Sequence, residues 1–300
     1  MNKEHNFISA VVYISKDERQ TVDFFKTLDA VLDEHFLHYE LIAVTEDSSA
    51  NSTEKLSEWA KSIERPLTVV NMSLHQPHEQ CMNAGIDISI GDYVYEFDST
   101  EMPYSPGIIW EAYLTAMKGN DIVNVCPSKE RKLSSLFYSV FNRYSHSSVK
   151  LRTDVFRLVS RRAINRVHSI SENLPYRKAA YAASGLKMEN LEFKGSLRGR
   201  KTQRSELAIN SLVLYTDFGF KFSMKVTLAM GLITAALFVY AILQKMGGQP
   251  IDGWTSLACI ISFGLSGLFF ILAMIIKYLA LQLQLTFRKQ SYLIESLEKM

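Results

Sequence analysis

The stretch Tyr93-Val94-Tyr95-Glu96-Phe97-Asp98-Ser99-Thr100-Glu101 runs through five aromatic and aliphatic-rich positions and then breaks into acids and hydroxyls. Its first half is strand-like, which puts Asp98 to Glu101 at a strand's carboxyl end. The same grammar recurs around it. Phe7 to Ile14, Leu41 to Val44, Leu67 to Val70 and Asp121 to Val125 read as further buried strands. Between them, Val22, Phe25, Leu28, Val31 and Leu32 repeat at helical spacing, as do Leu56, Trp59 and Ile63. Cys81 to Ile88 and Ile108 to Lys118 are also helix-like. Strands alternating with helices indicate an α/β domain with a mainly parallel, Rossmann-like sheet and flanking helices. Ligands of such sheets bind outside the carboxyl ends of the strands, which here means Ser15 to Glu18, Glu46 to Ser49 and Asp98 to Glu101.

The composition limits what this domain belongs to. The chain has 300 residues, 47% hydrophobic and 21% charged, which excludes a disordered chain. A balance of 33 Lys+Arg against 31 Asp+Glu gives a net charge of +2, and bulk electrostatics therefore exclude a nucleic-acid partner. Cys81, Cys126 and Cys259 are odd in number and widely spaced, so no disulfide framework or zinc site is indicated. His75 and His78, three residues apart beside Gln76-Pro77, lack the partners of a metal site.

Apolar residues are concentrated late in the chain. Residues 226–243 and 254–276 hold no charged side chain. At about 1.5 Å per residue they span about 27 and about 34 Å, enough for a hydrocarbon core of about 30 Å. A turn-like segment, Gln244 to Gly253, separates them, and the pair reads as a two-helix transmembrane hairpin. Lys221 and Lys225 before it and Lys277, Arg288 and Lys289 after it place both ends on the cytoplasmic side, with no signal sequence ahead of the first strand. The expected organisation is a cytoplasmic domain over residues 1–205, a juxtamembrane interfacial helix over 206–225, the hairpin, and a cytoplasmic tail over 277–300. The apolar segments also offer faces for packing against further copies of the chain.

In order and spacing, several motifs resemble one family. They are Val11-Val12 followed by Asp17-Glu18; Glu40 to Val44 followed by Glu46-Asp47-Ser48-Ser49; Asn83-Ala84-Gly85; Gly91-Asp92-Tyr93-Val94; and Asp98 closing its strand. Phe137-Tyr138 with Asn142-Arg143, Phe156 to Arg162 and the Gly-Gly-Gln-Pro turn of the hairpin continue the pattern. The chain resembles a family-2 glycosyltransferase of the GT-A fold, in the membrane-anchored polyprenyl-phosphate branch. That branch includes dolichol-phosphate mannosyltransferase and bacterial undecaprenyl-phosphate glucosyltransferases.

The resemblance implies inverting transfer of a sugar from a UDP- or GDP-sugar to a polyprenyl (undecaprenyl) phosphate at the bacterial cytoplasmic membrane. It further implies Mg²⁺ or Mn²⁺ at Asp98, aided by Glu101, and a nucleotide held by Asp17, Glu18, Glu46 and Asp47. Two phosphate-bearing substrates call for arginine clamps. With Asp98 and Glu101, Arg131 and Arg157 are the catalytic candidates, Arg131, Arg198, Arg200 and Arg204 the lipid-phosphate candidates, and Arg143 and Arg161 are also available. Where the family has Asp-x-Asp, this chain reads Asp98-Ser99-Thr100, with Glu101 one place later. That departure keeps a second reading open: a catalytically weakened relative acting as a membrane-bound binding or scaffolding partner. A lipid-linked glycan acceptor would instead need a general base, with Asp154 or Glu101 as the candidates.

Overall fold

The computed structural model describes residues 3–15, 20–45, 55–56, 58–61, 67–73, 76–129, 132–144, 150–170, 176–196, scattered positions between 221 and 243, 254–287 and 292–299. The strands are β1 (Ile8–Ile14), β2 (Tyr39–Thr45), β3 (Leu67–Met72), β4 (Tyr93–Phe97), β5 (Ile122–Lys129), β6 (Phe156–Ser160), β7 (Met188–Ser196) and β8 (Ile294–Lys299). They form one sheet in the order β7-β5-β6-β4-β1-β2-β3-β8. The pairs β1–β2, β1–β4, β2–β3 and β5–β7 are parallel; β6 runs antiparallel between β4 and β5, and β8 antiparallel to β3. The helices are α1 (Thr21–His35), α2 (His78–Ile88), α3 (Gly107–Met117), α4 (Lys132–Tyr144), α5 (Arg161–Ile170), α6 (Arg177–Ala183) and α7 (Trp254–Phe287).

Every residue of β1 is buried, as expected of a central parallel strand covered on both faces. One face carries Ala10, Val12, Tyr95, Phe97, Phe156 and Leu158, in the same core as Phe25 and Leu28 of α1 and Ile109 and Tyr113 of α3. Burying each such large side chain contributes roughly 1.5–3 kcal/mol, which makes this face the main source of stability. On the other face α2 lies close against β1 and β2. Gly85 permits that approach: a Cβ there would stand 2.5 Å from Val11 Cγ1 and 2.6 Å from Val44 Cγ2. The Asn83-Ala84-Gly85 motif is therefore a packing device at this position.

The chain divides into two compact units, Met1–Leu207 with Arg288–Met300, and Ala208–Phe287. The segment expected as a tail after residue 276 has two different fates. It continues α7 to Phe287, and from Ile294 it forms β8 on the open edge of β3. Pairing there satisfies backbone groups that an edge strand leaves exposed. Asn71 adds side-chain bonds to Ser296 Oγ (2.8 Å) and Glu298 Oε1 (3.2 Å), and Gln76 brackets the Leu293 backbone at 2.7 and 2.9 Å.

In the second unit the described positions between 221 and 243 are helical, and α7 follows at 34 residues. Among the described residues no helix is long and apolar enough to cross a membrane. The expected hairpin is thus not found as two continuous described spans, since its first run is interrupted by positions outside the described set. Of the interfacial helix expected over 206–225, residues 206–220 lie outside the described set, and 221, 222, 224 and 225 are helical.

Candidate active site

The register of β4 against β6 sets Glu96 directly opposite Arg157. Both are buried, at 0% and 2% exposure, on strands whose other residues are apolar or small. Charge survives in such a place only when it is paired. Because β6 runs antiparallel, its first residues lie at the carboxyl end of β4, where Asp98 follows. Arg157 donates from Nη2 to Asp98 Oδ2 (3.0 Å) and from Nε to Asp154 Oδ2 (3.1 Å), and its Nη1 stands 3.4 Å from Glu96 Oε2.

The first turn of α6 adds two more cations. Arg177 donates from Nη2 to Asp98 Oδ1 (3.0 Å) and from Nε to Glu79 Oε2 (3.0 Å), with Nη1 3.7 Å from Glu96 Oε2. Lys178 donates to Asp154 Oδ1 (2.7 Å), to the Tyr138 hydroxyl (3.2 Å) and to the Arg152 carbonyl. The Tyr181 hydroxyl donates to Glu96 Oε1 at 2.5 Å. On the remaining side His78, the first residue of α2, sits with Nε2 3.7 Å from Asp98 Oδ1 and its ring edge-on to Tyr13 at 4.4 Å.

Four carboxylates (Glu79, Glu96, Asp98, Asp154) thus face three cations (Arg157, Arg177, Lys178). Burial alone would raise the Asp98 carboxyl, but Arg157, His78, Arg177 and Lys178 outweigh it and hold the group well below the usual carboxylate range. Glu96 goes the other way: burial raises it more than its arginines and Tyr181 lower it. Burial would lower Arg177 and Lys178 too, but the facing carboxylates reverse this and keep both firmly protonated. The side chains of Arg157, Arg177 and Lys178 are 3%, 0% and 3% exposed, whereas those of Asp98 and His78 are 30% and 25% exposed. The cluster therefore offers solvent an ionised carboxylate with an imidazole beside it. A carboxylate has about four acceptor positions, so Asp98 keeps capacity for hydroxyl donors after accepting from two guanidinium groups.

A divalent cation, implied by the family resemblance, does not fit this donor set. Both Asp98 oxygens are engaged by arginine. Two residues on stands Thr100, a buried neutral residue, and the exposed Glu101 makes its hydrogen bond through its backbone N–H, to Ser99 Oγ. Among the described residues no group of three or more His, Cys, Asp or Glu side chains could hold a metal ion.

No family model matches the chain. Relatives are nevertheless found along most of it. An uncharacterized glycosyltransferase of Synechocystis sp. is 23% identical over 85% of this chain and 84% of its own length. The uncharacterized glycosyltransferase YkcC of Bacillus subtilis is 21% identical over 85% and 83%. A prophage bactoprenol glucosyl transferase homolog of Escherichia coli is 24% identical over 85% and 88%. In fold, the chain is similar to the mannosyltransferase PcManGT of Pyrobaculum calidifontis in complex with GDP-Man and Mn²⁺, with a TM-score of 0.50 and 11% identity over 90% of this chain and 88% of the other. It is likewise similar to the glucosyl-3-phosphoglycerate synthase of Mycobacterium tuberculosis in complex with UDP, with a TM-score of 0.50 and 12% identity over 69% and 78%. The chain is a glycosyltransferase of the GT-A fold.

In this glycosyltransferase the structure brings Asp98 and Arg157 together. Asp17, Glu18, Glu46, Asp47, Arg131, Arg198, Arg200 and Arg204 lie outside the described residues. Arg161, available from sequence as a phosphate clamp, instead binds the Gly91 carbonyl (3.0 Å) and Ser89 (2.8 Å) at the amino end of β4. Arg143 is exposed on α4. Glu79, Glu96, Arg177, Lys178 and His78 entered the site unannounced. A charged residue inside an apolar strand, Glu96, was the one available signal.

Proposed function

We propose that this glycosyltransferase moves a sugar from a nucleoside diphosphate sugar to a polyprenyl phosphate at the cytoplasmic face of a bacterial membrane. The donor half of the reading is carried by Asp98. It is an ionised, partly exposed carboxylate fixed at the carboxyl end of β4, where open α/β sheets bind nucleotides. The acceptor half is supported by the relatives named bactoprenol glucosyl transferases, 24% identical over 85% of this chain.

The chemistry asks little of the protein in proton transfer. A lipid phosphate with a second ionisation near pH 6 is largely dianionic at neutral pH and attacks the anomeric carbon directly. A new carbon–oxygen bond forms as the bond to the donor diphosphate breaks, and the electron pair leaves with the nucleoside diphosphate. No proton has to be removed, so no general base is needed. Asp98 accepts hydrogen bonds from donor hydroxyls and, through Arg157 and Arg177, keeps one orientation while this happens.

Membrane anchoring belongs to the same proposal. Its support is the absence of charge over residues 226–243 and 254–276, and the exposed apolar side chains of the second unit, among them Leu228, Leu232, Ile261, Phe263, Leu268 and Phe269. Exposed apolar side chains in such number mark a membrane or partner contact. The strands β7 and β8 precede and follow this unit in one sheet, which agrees with an even number of crossings and with both flanks on one side.

The decisive experiment supplies the detergent-purified full chain with UDP- and GDP-sugars and undecaprenyl phosphate. The expected result is nucleoside diphosphate release matched by a glycosylated lipid. Nucleotide-sugar binding without any turnover would instead make the chain a binding partner. Cysteines introduced one at a time in 244–253 and 292–299 should label from opposite sides of sealed vesicles; labelling from one side rules out the hairpin.

A further inference from the structure

Each carboxylate oxygen of Asp98 accepts a guanidinium N–H at 3.0 Å, Oδ1 from Arg177 and Oδ2 from Arg157. These two arginines have nowhere else to go. Arg177 is fully buried and its remaining nitrogens face Glu79 and Glu96; Arg157 is 3% exposed and faces Asp154 and Glu96. A cation that claimed Asp98 would have to break two charge-assisted hydrogen bonds, one from each of two buried guanidinium groups. Thr100, two residues on, has no carboxylate with which to repay that loss.

We infer that this glycosyltransferase binds its donor without a divalent cation, with Arg157 and Arg177 holding the side of the Asp98 carboxylate that a cation would use. The free side of the carboxylate, next to His78, accepts hydrogen bonds from the hydroxyl groups of the nucleoside diphosphate sugar. The cluster's three cations are matched by four carboxylates, so the charge of the diphosphate is met by basic residues outside it. The inference rests on the donor reading given above and specifies how that donor is held.

The test measures calorimetric binding of UDP- and GDP-sugars to the full chain in detergent, once with EDTA and once with excess Mn²⁺. The expected affinities agree within about twofold, and sugar transfer continues in EDTA; tightening by about tenfold or more with Mn²⁺ overturns the inference. Free Mn²⁺, followed by electron paramagnetic resonance, should keep its full signal when chain and nucleotide are added. Loss of that signal also overturns it. In Arg177→Met the carboxylates of Asp98, Glu79 and Glu96 lose their shared cation, and Mn²⁺ binding should appear. A folded variant that gains none shows that the guanidinium is not what keeps the cation out. If the variant does not fold, the wild-type comparison decides alone. Binding of no nucleotide sugar under either condition overturns the donor reading itself, a result distinct from binding that needs Mn²⁺.

Discussion

At the carboxyl edge of the sheet Asp98 is held by Arg157 and Arg177, whose side chains are 3% and 0% exposed. At the opposite edge Asp121 is held by Arg162, whose side chain is 73% exposed, through Nε at 2.9 Å and Nη2 at 2.5 Å. Judged by distance alone the second pair is the better one, a two-point fork on a single carboxylate. Burial reverses the ranking. Arg162 can exchange its carboxylate for water, and salt screens what attraction remains. Arg177 has only carboxylates to turn to, and each of those depends on it in return. An aspartate–arginine contact therefore fastens the amino edge, while at the carboxyl edge it makes a rigid acceptor that a substrate can reach.

The largest effect expected from this contrast comes from Arg177→Met. It strips a cation from Glu79, Glu96 and Asp98 at once and should destabilise the chain by about 3–5 kcal/mol. For a unit of this size that is a fall in melting temperature on the order of 10 °C, readable by differential scanning fluorimetry of the full chain. A melting temperature within error of wild type would show that the network is not coupled as its geometry indicates. Next comes Tyr181→Phe, which removes the hydrogen bond to the fully buried Glu96 Oε1 and should cost about 1–3 kcal/mol.

The two aspartates should also separate under acid. Burial would raise both, yet their partners prevail: Arg157, His78, Arg177 and Lys178 hold Asp98 down, and Arg162 and Ser160 hold down Asp121 to a smaller extent. A carboxyl lowered by folding stabilises above its unfolded value of about 3.9 and loses that contribution as the pH falls toward the folded one. Asp98→Asn should accordingly lower the melting temperature more than Asp121→Asn at pH 7. The gap should narrow as the pH drops below about 4, where the aspartates of the unfolded chain take up protons while the folded ones still resist. A gap that stays constant across this range would mean that packing, not charge, distinguishes the two sites.

The same burial decides what could be read in advance. Tyr93 to Phe97 was legible residue for residue because its core-facing side chains mark a strand and Asp98 marks its end. Just across the register, Phe156 to Ser160 looked like a basic segment, since Arg157 interrupts an otherwise strand-like run. Its charge makes sense only once Glu96 stands opposite. Arg177 reaches Asp98 across 79 residues of chain, and Asn71 reaches Ser296 across 225. No window of local pattern contains either pairing. Ile-Glu-Ser-Leu-Glu-Lys at 294–299 is short and mostly polar, and β3 supplies the edge that makes it a strand.

The smallest effect is the sharpest check on the contrast. Arg162→Ala removes a two-point fork, and a rule that counted contacts would expect a loss comparable to that of Arg177→Met. The Arg162 side chain lies in solvent, however, and Asp121 keeps the Ser160 hydroxyl at 2.9 Å after the arginine is gone. Holding one long side chain still costs entropy that nearly offsets an attraction already weakened by water. The variant should melt close to wild type at low salt, and the remaining difference should vanish as salt shortens the screening length from about 10 Å at 0.1 M to about 3 Å at 1 M. Arg177→Met should keep its full deficit over the same range, because ions do not enter the cluster. Equal salt dependence in the two variants would place Arg177 within reach of solvent and undo the argument that Asp98 is locked from the inside.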